Sequence, residues 1–178
     1  MNLADVPSFG GPVDRGNNQM IKSTARHALD ELDRAILRIV QARANVNNAE
    51  LARLINLSPP ATHARLRRLE KDGYIRGYTA VLDRDKLGYG LTVFVQVSLR
   101  AHQNDVEDAI GAVVAQLPEI LECYQVTGQS DYLMKVALRD RKHLEEFLNA
   151  RLTPMLKDAR IQTSVVLAEI KAGQEVPV

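Results

Sequence analysis

The sequence of 178 residues predicts an α+β protein made of two domains. Apolar residues recur at helical spacing through residues 29–72, and the pattern changes to strand-like residues near residue 80. From residue 92 the order is strand–helix–strand–strand–helix–strand, a split βαβ arrangement. The length allows one medium domain or two small ones, and the change of pattern favours two. The predicted boundaries are a flexible arm over 1–27, a helical domain over 28–82, a linker over 83–91, a second domain over 92–172 and a C-terminal tail over 173–178.

Composition excludes several classes of protein. A hydrophobic content of 46% and a charged content of 25% are typical of a globular chain. No apolar stretch approaches the 20 or so residues of a membrane span, and the N-terminus lacks a secretory signal, so we expect a cytoplasmic protein that contacts no membrane. The single cysteine, Cys123, fits a reducing compartment. Without CxxC, HExxH or a Cys/His cluster, neither a metal nor a cofactor is expected.

The N-terminal arm is rich in Gly, Pro, Asn and Asp and has no apolar period, which predicts flexibility. A start at Met20 would remove only part of it. The first helix is predicted over residues 29–43, with acids in its first turn, where the helix dipole favours them. Its apolar stripe consists of Leu29, Leu32, Ile36, Leu37 and Val40.

Two further helices follow in short succession. Asn47 or Asn48 can cap the second, which continues to about residue 55. Ser58-Pro59 is a strong start signal for the third, and Gly73 supplies its left-handed stop. Residues 74–82 are strand-like and predict a two-stranded wing. Together these elements predict a winged helix-turn-helix.

The second half predicts a ferredoxin-like βαββαβ domain with its helices on one face of the sheet. Asn104 and Glu107 resemble a capping box for its first helix, and Asp140 can cap its second. The predicted elements are strands over 92–99, 120–127, 132–138 and 160–171 and helices over 104–117 and 140–152.

The net charge of +1 conceals a gradient along the chain. Residues 28–78 carry nine basic and six acidic residues, a net charge of +3. Residues 79–178 carry eleven basic and fourteen acidic residues, a net charge of −3. Basic charge is therefore concentrated in the helical domain, as in proteins that contact nucleic acid.

The third helix offers a surface suited to double-stranded DNA. A helical wheel directs Thr62, Leu66 and Leu69 inward and groups Ala61, Ala64 and Arg68 on the outside. Small residues allow close approach to base edges, and arginines beyond them can reach phosphates or guanine. Three arginines within four residues fit a solvated face equally well, but the helix–turn–helix spacing and the wing favour DNA. The predicted DNA contacts are Ser58, Pro60, Ala61, Ala64, Arg65, Arg67, Arg68, Lys71 and Arg76.

Short motifs over residues 29–171 then occur in the order found in one family. The chain resembles the Lrp/AsnC (feast/famine) transcriptional regulators. Each motif is weak alone, whereas their ordered set is specific. They are Leu29–Leu37, Glu50-Leu51-Ala52, Leu57-Ser58-Pro59, Arg65–Ile75, Gly77-Tyr78, Val126-Thr127-Gly128, Asp131-Tyr132-Leu133 and Val165–Lys171.

The resemblance implies a DNA-binding domain joined to a sensing domain that binds a small amino acid. It also implies that the sensing domains pair through their sheets, that the dimers assemble into tetramers or octamers, and that the effector binds between sensing domains. The implied effector residues are Gly128, Gln129, Ser130, Asp131 and Tyr132 of the turn region, with Thr163 and Val165 of the last strand. Free N–H groups of such a turn can hold a carboxylate, and an aspartate can pair with an ammonium. A simple β-turn, with the Asp131 side chain bonded to its own backbone, is the alternative.

Two positions depart from the family pattern. Pro60 stands where Thr or Ser is common, which removes a hydroxyl contact to DNA. Gln129-Ser130 fills a variable pair of positions, so the sequence leaves the identity of the effector open.

We therefore expect a homo-oligomeric, non-enzymatic regulator of transcription that binds imperfect palindromic operators and responds to an amino acid. One alternative is an architectural DNA-binding protein that takes no ligand. Another is an enzyme similar to sirohaem decarboxylases, which share the two-domain layout. The second half offers only His102 and His143 as histidines for a tetrapyrrole, which disfavours the enzyme.

Overall fold

The computed structural model describes residues 28–99, 105–156, 159–173 and 175–178, with only the backbone of residues 105–109. The predicted arm over 1–27 lies outside the described residues, as do Asn104 of the predicted capping box and His102. The chain divides into two compact units. Of the described residues, those up to Val81 and those from Ala172 onward form one unit, and those within Leu82–Lys171 form the other.

The N-terminal unit contains the three predicted helices, α1 (Glu31–Ala42), α2 (Asn48–Leu54) and α3 (Pro59–Lys71). Each begins at a side-chain cap, because the first backbone N–H groups of a helix have no partner within it. The caps are Asp30, Asn47 and Ser58, which accept from the backbone N–H three residues on. Gly73, at φ +77°, ends α3 in the left-handed region, as predicted.

Apolar residues from all three helices form the core of this unit. Ile36, Leu51 and Leu69, one from each helix, are almost completely buried. Two polar residues are buried with them, Thr62 and Asp33. The Thr62 hydroxyl donates to the carbonyl oxygen of Ser58 at 3.1 Å, which satisfies its hydrogen bond inside α3.

The predicted strand pair of the wing is wrong as secondary structure. Residues 74–82 contain no strand, and Tyr78, Val81 and Leu82 are exposed. A two-stranded ribbon without a third strand is marginally stable in water, and the described residues of this unit contain no strand that could pair with it. Strand-forming residues alone were therefore insufficient here.

The second unit is built on a four-stranded antiparallel sheet of order β2-β3-β1-β4, which confirms the predicted α+β class. The strands are β1 (Leu91–Leu99), β2 (Ile120–Gln125), β3 (Tyr132–Leu138) and β4 (Ala159–Val165). The helices are α4 (Asp105–Gln116), α5 (Arg141–Glu146), a π-helical continuation over Phe147–Leu152, and α6 (Thr153–Met155).

One face of the sheet carries the core. Val93, Val95 and Val97 of β1 are fully buried and pack with residues of β3 and of the helices. Successive residues of a strand point to opposite faces, so the residues of β1 that lie between these valines face away from the core. Directly paired residues of neighbouring antiparallel strands point to the same face. The face without helices, called the open face below, is polar at Gln96 and Ser98.

The last strand ends earlier than the predicted 160–171. Val165 pairs with Val93, and the Val166 N–H still donates to the Thr92 carbonyl. In this register residue 167 would lie opposite Leu91, where β1 begins, so the chain after residue 167 runs beyond the strand that could pair with it. Leu167 and Ile170 are almost fully exposed.

The C-terminal residues belong to the N-terminal unit. The side chain of Gln41 on α1 donates to the Val176 carbonyl at 3.0 Å and accepts from the Val176 N–H at 3.2 Å. One amide side chain thus satisfies both backbone groups of Val176. Among the described residues, no helix is long and apolar enough to cross a bilayer.

Candidate DNA-binding face and effector site

Five exposed residues form a stripe along α3, each three or four positions from another of the five. They are Pro60, His63, Ala64, Arg67 and Lys71. Residues with this spacing lie on one side of a helix, so a single stripe carries two cations, a histidine and two small residues. Arg67 has 73% of its side chain exposed and forms a 3.3 Å ion pair with Glu70. Such exposed pairs are weak, so the guanidinium remains available to a phosphate.

The other two arginines of α3 face α1 instead. Arg65 Nη1 lies 2.8 Å from Asp33 Oδ1 and 2.6 Å from Asp30 Oδ2. Arg68 Nη2 lies 2.5 Å from the second oxygen of Asp33. We call Asp30, Asp33, Arg65 and Arg68 the α1–α3 ion cluster. The carboxylate of Asp33, at the centre of the cluster, is 2% exposed, and the two arginines compensate its buried charge.

These ion pairs raise the pKa of Arg65, first through the hydrogen bond to Asp30 and then through the one to Asp33. The pKa of Asp30 is lowered, first by the hydrogen bond from the Asp33 backbone N–H and then by the one from Arg65. Opposite charge and donated hydrogen bonds favour the charged form of each group, which explains both directions.

The predicted outward grouping of Ala61, Ala64 and Arg68 is therefore partly wrong. Ala64 is exposed, whereas Ala61 and Arg68 are half-buried and Arg68 is bonded to Asp33. The exposed face is rotated toward His63. The wheel located the inside of the helix from apolar residues alone, and the buried partner of Arg68 is a carboxylate.

The remaining predicted DNA contacts are exposed. Ser58 lies at the start of α3, where its hydroxyl caps the helix at 3.4 Å. Arg76 is exposed in the segment after α3. In the same segment, the Tyr78 hydroxyl donates to Glu70 at 2.9 Å. Partial burial of its hydroxyl, followed by this bond, raises the pKa of Tyr78 to about 12. The DNA contacts at these residues stay predictions.

In the second unit, the predicted effector turn connects β2 to β3. Gly128 has φ +124°, which a residue with a side chain rarely adopts. The carboxylate of Asp131 accepts from the Leu99 N–H at 2.7 Å, while its backbone N–H donates to the Val97 carbonyl. Asp131 therefore ties the turn to the end of β1. Its predicted contact with a ligand ammonium would use the carboxylate that already holds Leu99.

The other predicted effector residues lie on both sides of the sheet. Tyr132 pairs with Val97 and is 3% exposed within the core. Thr163 and Val165 pair with Val95 and Val93, so both point to the face that carries the helices. Gln129 is exposed, and its carbonyl accepts from the Ser98 hydroxyl of the open face at 3.0 Å. Within one chain these residues therefore do not share one side of the sheet, and the effector site between sensing domains stays a prediction.

Comparison with known proteins identifies the family of this chain. A winged helix-turn-helix DNA-binding model matches residues 29–76, and the model of the Lrp/AsnC ligand-binding domain matches residues 92–176. The leucine-responsive regulatory proteins of Salmonella typhimurium and Escherichia coli K12 are each 39% identical over 145 residues, which is 80% of this chain and 87% of theirs. The chain belongs to the Lrp/AsnC family of transcriptional regulators.

Solved structures of the Lrp/AsnC family share this fold. A regulator of Neisseria meningitidis in complex with L-methionine superimposes with a TM-score of 0.79 at 33% identity, covering 84% of this chain and 96% of that one. The feast or famine regulatory protein of M. tuberculosis, complexed with L-methionine, gives a TM-score of 0.75 at 30% identity, covering 84% and 100%.

Membership of the Lrp/AsnC family confirms the expected class of function, a DNA-binding transcriptional regulator rather than an enzyme. The sirohaem decarboxylase alternative is not supported, because the relatives named above are regulators. In the described part of the chain, no three His, Cys, Asp or Glu residues are grouped to hold a metal ion.

Proposed function

We propose that this regulator binds imperfect palindromic operators as a homo-oligomer and that a small amino acid changes its DNA binding. The observation that carries the proposal is the exposed stripe of α3. Arg67 and Lys71 lie on the same side of the helix as Ala64, whose small side chain allows the backbone to approach base edges. The helix axis would lie in the major groove, as in other helix-turn-helix proteins.

The α1–α3 ion cluster supports this arrangement in a second way. It attaches the side of α3 opposite to His63 and Arg67 to the start of α1, so the helix presents one defined face. Rigid presentation matters because an interface must hold its contacting groups in the correct geometry before binding. Arg65 and Arg68 then act mainly as positioning residues, and Arg67, Lys71 and Arg76 remain as cations for phosphate or guanine.

Two lines support an amino-acid effector. Residues 92–176 match a ligand-binding domain, and two structural relatives are complexes with L-methionine. The mechanism is linkage: the effector shifts DNA binding only by the difference between its affinities for two assemblies or two dimer geometries.

Exposed apolar residues in the second unit support self-association. Leu121 and Tyr124 of β2 are about half exposed, and Leu167 and Ile170 after β4 are more than nine-tenths exposed. Burial of such residues between subunits is favourable in proportion to the apolar area removed from water. We propose a dimer as the basic assembly, with tetramers or octamers built from it.

The test begins with selection of double-stranded DNA sites from a random pool by the full chain. The expected sites are inverted half-sites whose centres lie about one helical turn, or a multiple of it, apart. Affinity for a selected site is then measured with each of the twenty amino acids, alongside analytical ultracentrifugation. Binding without sequence preference and without any amino-acid response would support the architectural alternative instead.

A further inference from the structure

The first half of α3 carries few side chains that could distinguish one base pair from another. In helix-turn-helix proteins the N-terminal residues of the recognition helix contact base edges in the major groove, so this half matters most for sequence recognition. Most of its side chains have no hydrogen-bonding group, and they can offer a base only apolar contact. These residues are Pro59, Pro60, Ala61 and Ala64.

The two hydroxyl groups of this half are bonded to the backbone of the helix. The Ser58 hydroxyl accepts from the Ala61 N–H at 3.4 Å and caps α3. Thr62 is buried, and its hydroxyl donates to the Ser58 carbonyl at 3.1 Å. Neither Ser58 nor Thr62 belongs to the exposed stripe of α3.

His63 combines exposure with an unused hydrogen-bonding side chain. Among the described residues, its imidazole has no hydrogen-bond or ion-pair partner. On the stripe it follows Pro60 by three positions and precedes Arg67 by four, so these three residues lie on one side of the helix. The side chains of Pro60 and Ala64 are short, so the imidazole projects farther from the helix than they do.

The α1–α3 ion cluster directs this side of α3 outward. Arg65 and Arg68 both bind the buried carboxylate of Asp33 on α1. At 3.6 residues per turn, they lie roughly 200° and 140° around the helix from His63. The side bonded to α1 is therefore the far side, and the imidazole is presented to the solvent.

We propose that His63 reads one base pair in each operator half-site by donating an imidazole N–H to O6 or N7 of a guanine. Guanine presents these two acceptors side by side in the major groove, whereas adenine and thymine each present one acceptor and cytosine presents a donor. A single N–H donor is therefore satisfied best at a G·C pair. The proposal rests on the proposed function, since it names the residue that supplies sequence preference at one position.

The test uses duplexes derived from one operator that the wild-type full chain selects, with each base pair of a half-site replaced in turn. Fluorescence anisotropy measures the affinity for every duplex. For the wild type, replacing one G·C pair should weaken binding about tenfold. His63→Ala should show no preference at that position and keep the wild-type preference at the others. The control is Glu31→Gln, which changes an 89% exposed side chain of α1 and should keep every preference.

His63→Gln provides a readout that a merely structural role would not move. A glutamine reaches about as far as a histidine and pairs through two hydrogen bonds with N6 and N7 of adenine. The preferred base pair at the same position should therefore change from G·C to A·T in this variant. Circular dichroism of each variant verifies an unchanged fold.

Three results would contradict the proposal in different ways. If both His63 variants keep the wild-type preference at every position, His63 reads no base while the proposed function stands. If they lose the same factor of affinity on every duplex, the imidazole contacts a phosphate instead, since phosphate contacts carry no direct sequence information. If the wild type selects no operator from a random pool, the proposed function fails and this proposal fails with it.

Discussion

The buried carboxylate of Asp33 on α1 accepts a hydrogen bond of 2.5 Å from the guanidinium of Arg68 on α3. Its other oxygen accepts from Arg65 at 2.8 Å, so one carboxylate joins two turns of α3 to the start of α1. Asp33 also completes the capping box of α1 with Asp30. A residue that the sequence marks as an ordinary helix-start acid therefore fixes the orientation of the DNA-binding helix.

We expect Asp33→Asn to destabilise the N-terminal unit by about 1–3 kcal/mol. The asparagine retains an oxygen for the capping box but leaves both arginines without their buried counter-charge. The partial exposure of the arginines reduces the loss relative to a fully buried pair. Urea unfolding of the full chain, followed by circular dichroism, measures the change.

A double-mutant cycle with Arg68→Gln is the control for this prediction. The loss in the double variant should be smaller than the sum of the two single losses, because each single change removes the same ion pair. Strictly additive losses would mean that Asp33 and Arg68 do not stabilise one another.

Arg67→Ala and Arg68→Ala should separate DNA contact from helix positioning. Arg67 is exposed, so its loss should reduce operator affinity by about 1–3 kcal/mol and leave unfolding unchanged. Arg68 is bonded to Asp33, so its loss should lower stability more than it lowers operator affinity. Fluorescence anisotropy over a range of salt concentrations, beside urea unfolding, measures both effects.

The salt dependence identifies what Arg67 contacts. If Arg67 binds a phosphate, the slope of log K against log salt should fall in magnitude by about one unit in Arg67→Ala. An operator affinity that falls for Arg68→Ala but not for Arg67→Ala would restore the orientation that the helical wheel predicted.

Asp30 gives the N-terminal unit a pH dependence in the acid range. Its pKa in the folded protein is depressed, so its charged form contributes stability above the ordinary aspartate pKa of about 3.9. That contribution is lost as the pH falls through the depressed value. Asp30→Asn keeps a good N-cap but cannot ionise. The stabilities of wild type and variant should differ above about pH 4 and converge at lower pH.

Urea unfolding between about pH 2 and 7 tests this expectation. Glu31→Gln, on the next residue, changes a side chain that is 89% exposed and serves as the control. A difference between wild type and Asp30→Asn that stayed constant with pH would mean that the negative charge of Asp30 strengthens neither the cap nor the Arg65 ion pair.

We expect Asp131 to stabilise the second unit, in addition to its predicted contact with a ligand. Asp131→Ala leaves the Leu99 N–H without its partner and should cost about 1–2 kcal/mol of stability. Asp131→Asn keeps an acceptor oxygen and should cost less. Equal stabilities for the two variants in urea unfolding would argue against the bond to Leu99. Calorimetry with L-methionine then tests the predicted ammonium contact separately.

Local signals in the sequence predicted most element starts and the order of the elements. Asp140, for example, caps α5 by accepting from the His143 N–H at 2.8 Å. Caps of this kind depend on three or four neighbouring residues, so the sequence contains them. The end of a strand, in contrast, is not determined by the residues next to it in the sequence. The final strand cannot extend far past Val165, because β1 begins at Leu91 and the register places that residue opposite residue 167. This limit is set by residues about 70 positions away in the chain.

The candidate sites were predicted less completely for the same reason. The wheel of α3 could not include Asp33, because the contact joins residues 32 and 35 positions apart.

The two hydrogen bonds between Gln41 and Val176 limit how this protein can be divided into fragments. A fragment that ends at Val81 lacks the C-terminal segment with which α1 exchanges two hydrogen bonds. The DNA-binding unit is discontinuous in sequence, and proteolysis in the linker would leave part of it on the other fragment. A tag fused after Val178 begins two residues from this contact, so tags for DNA-binding assays are better placed at the other end of the chain.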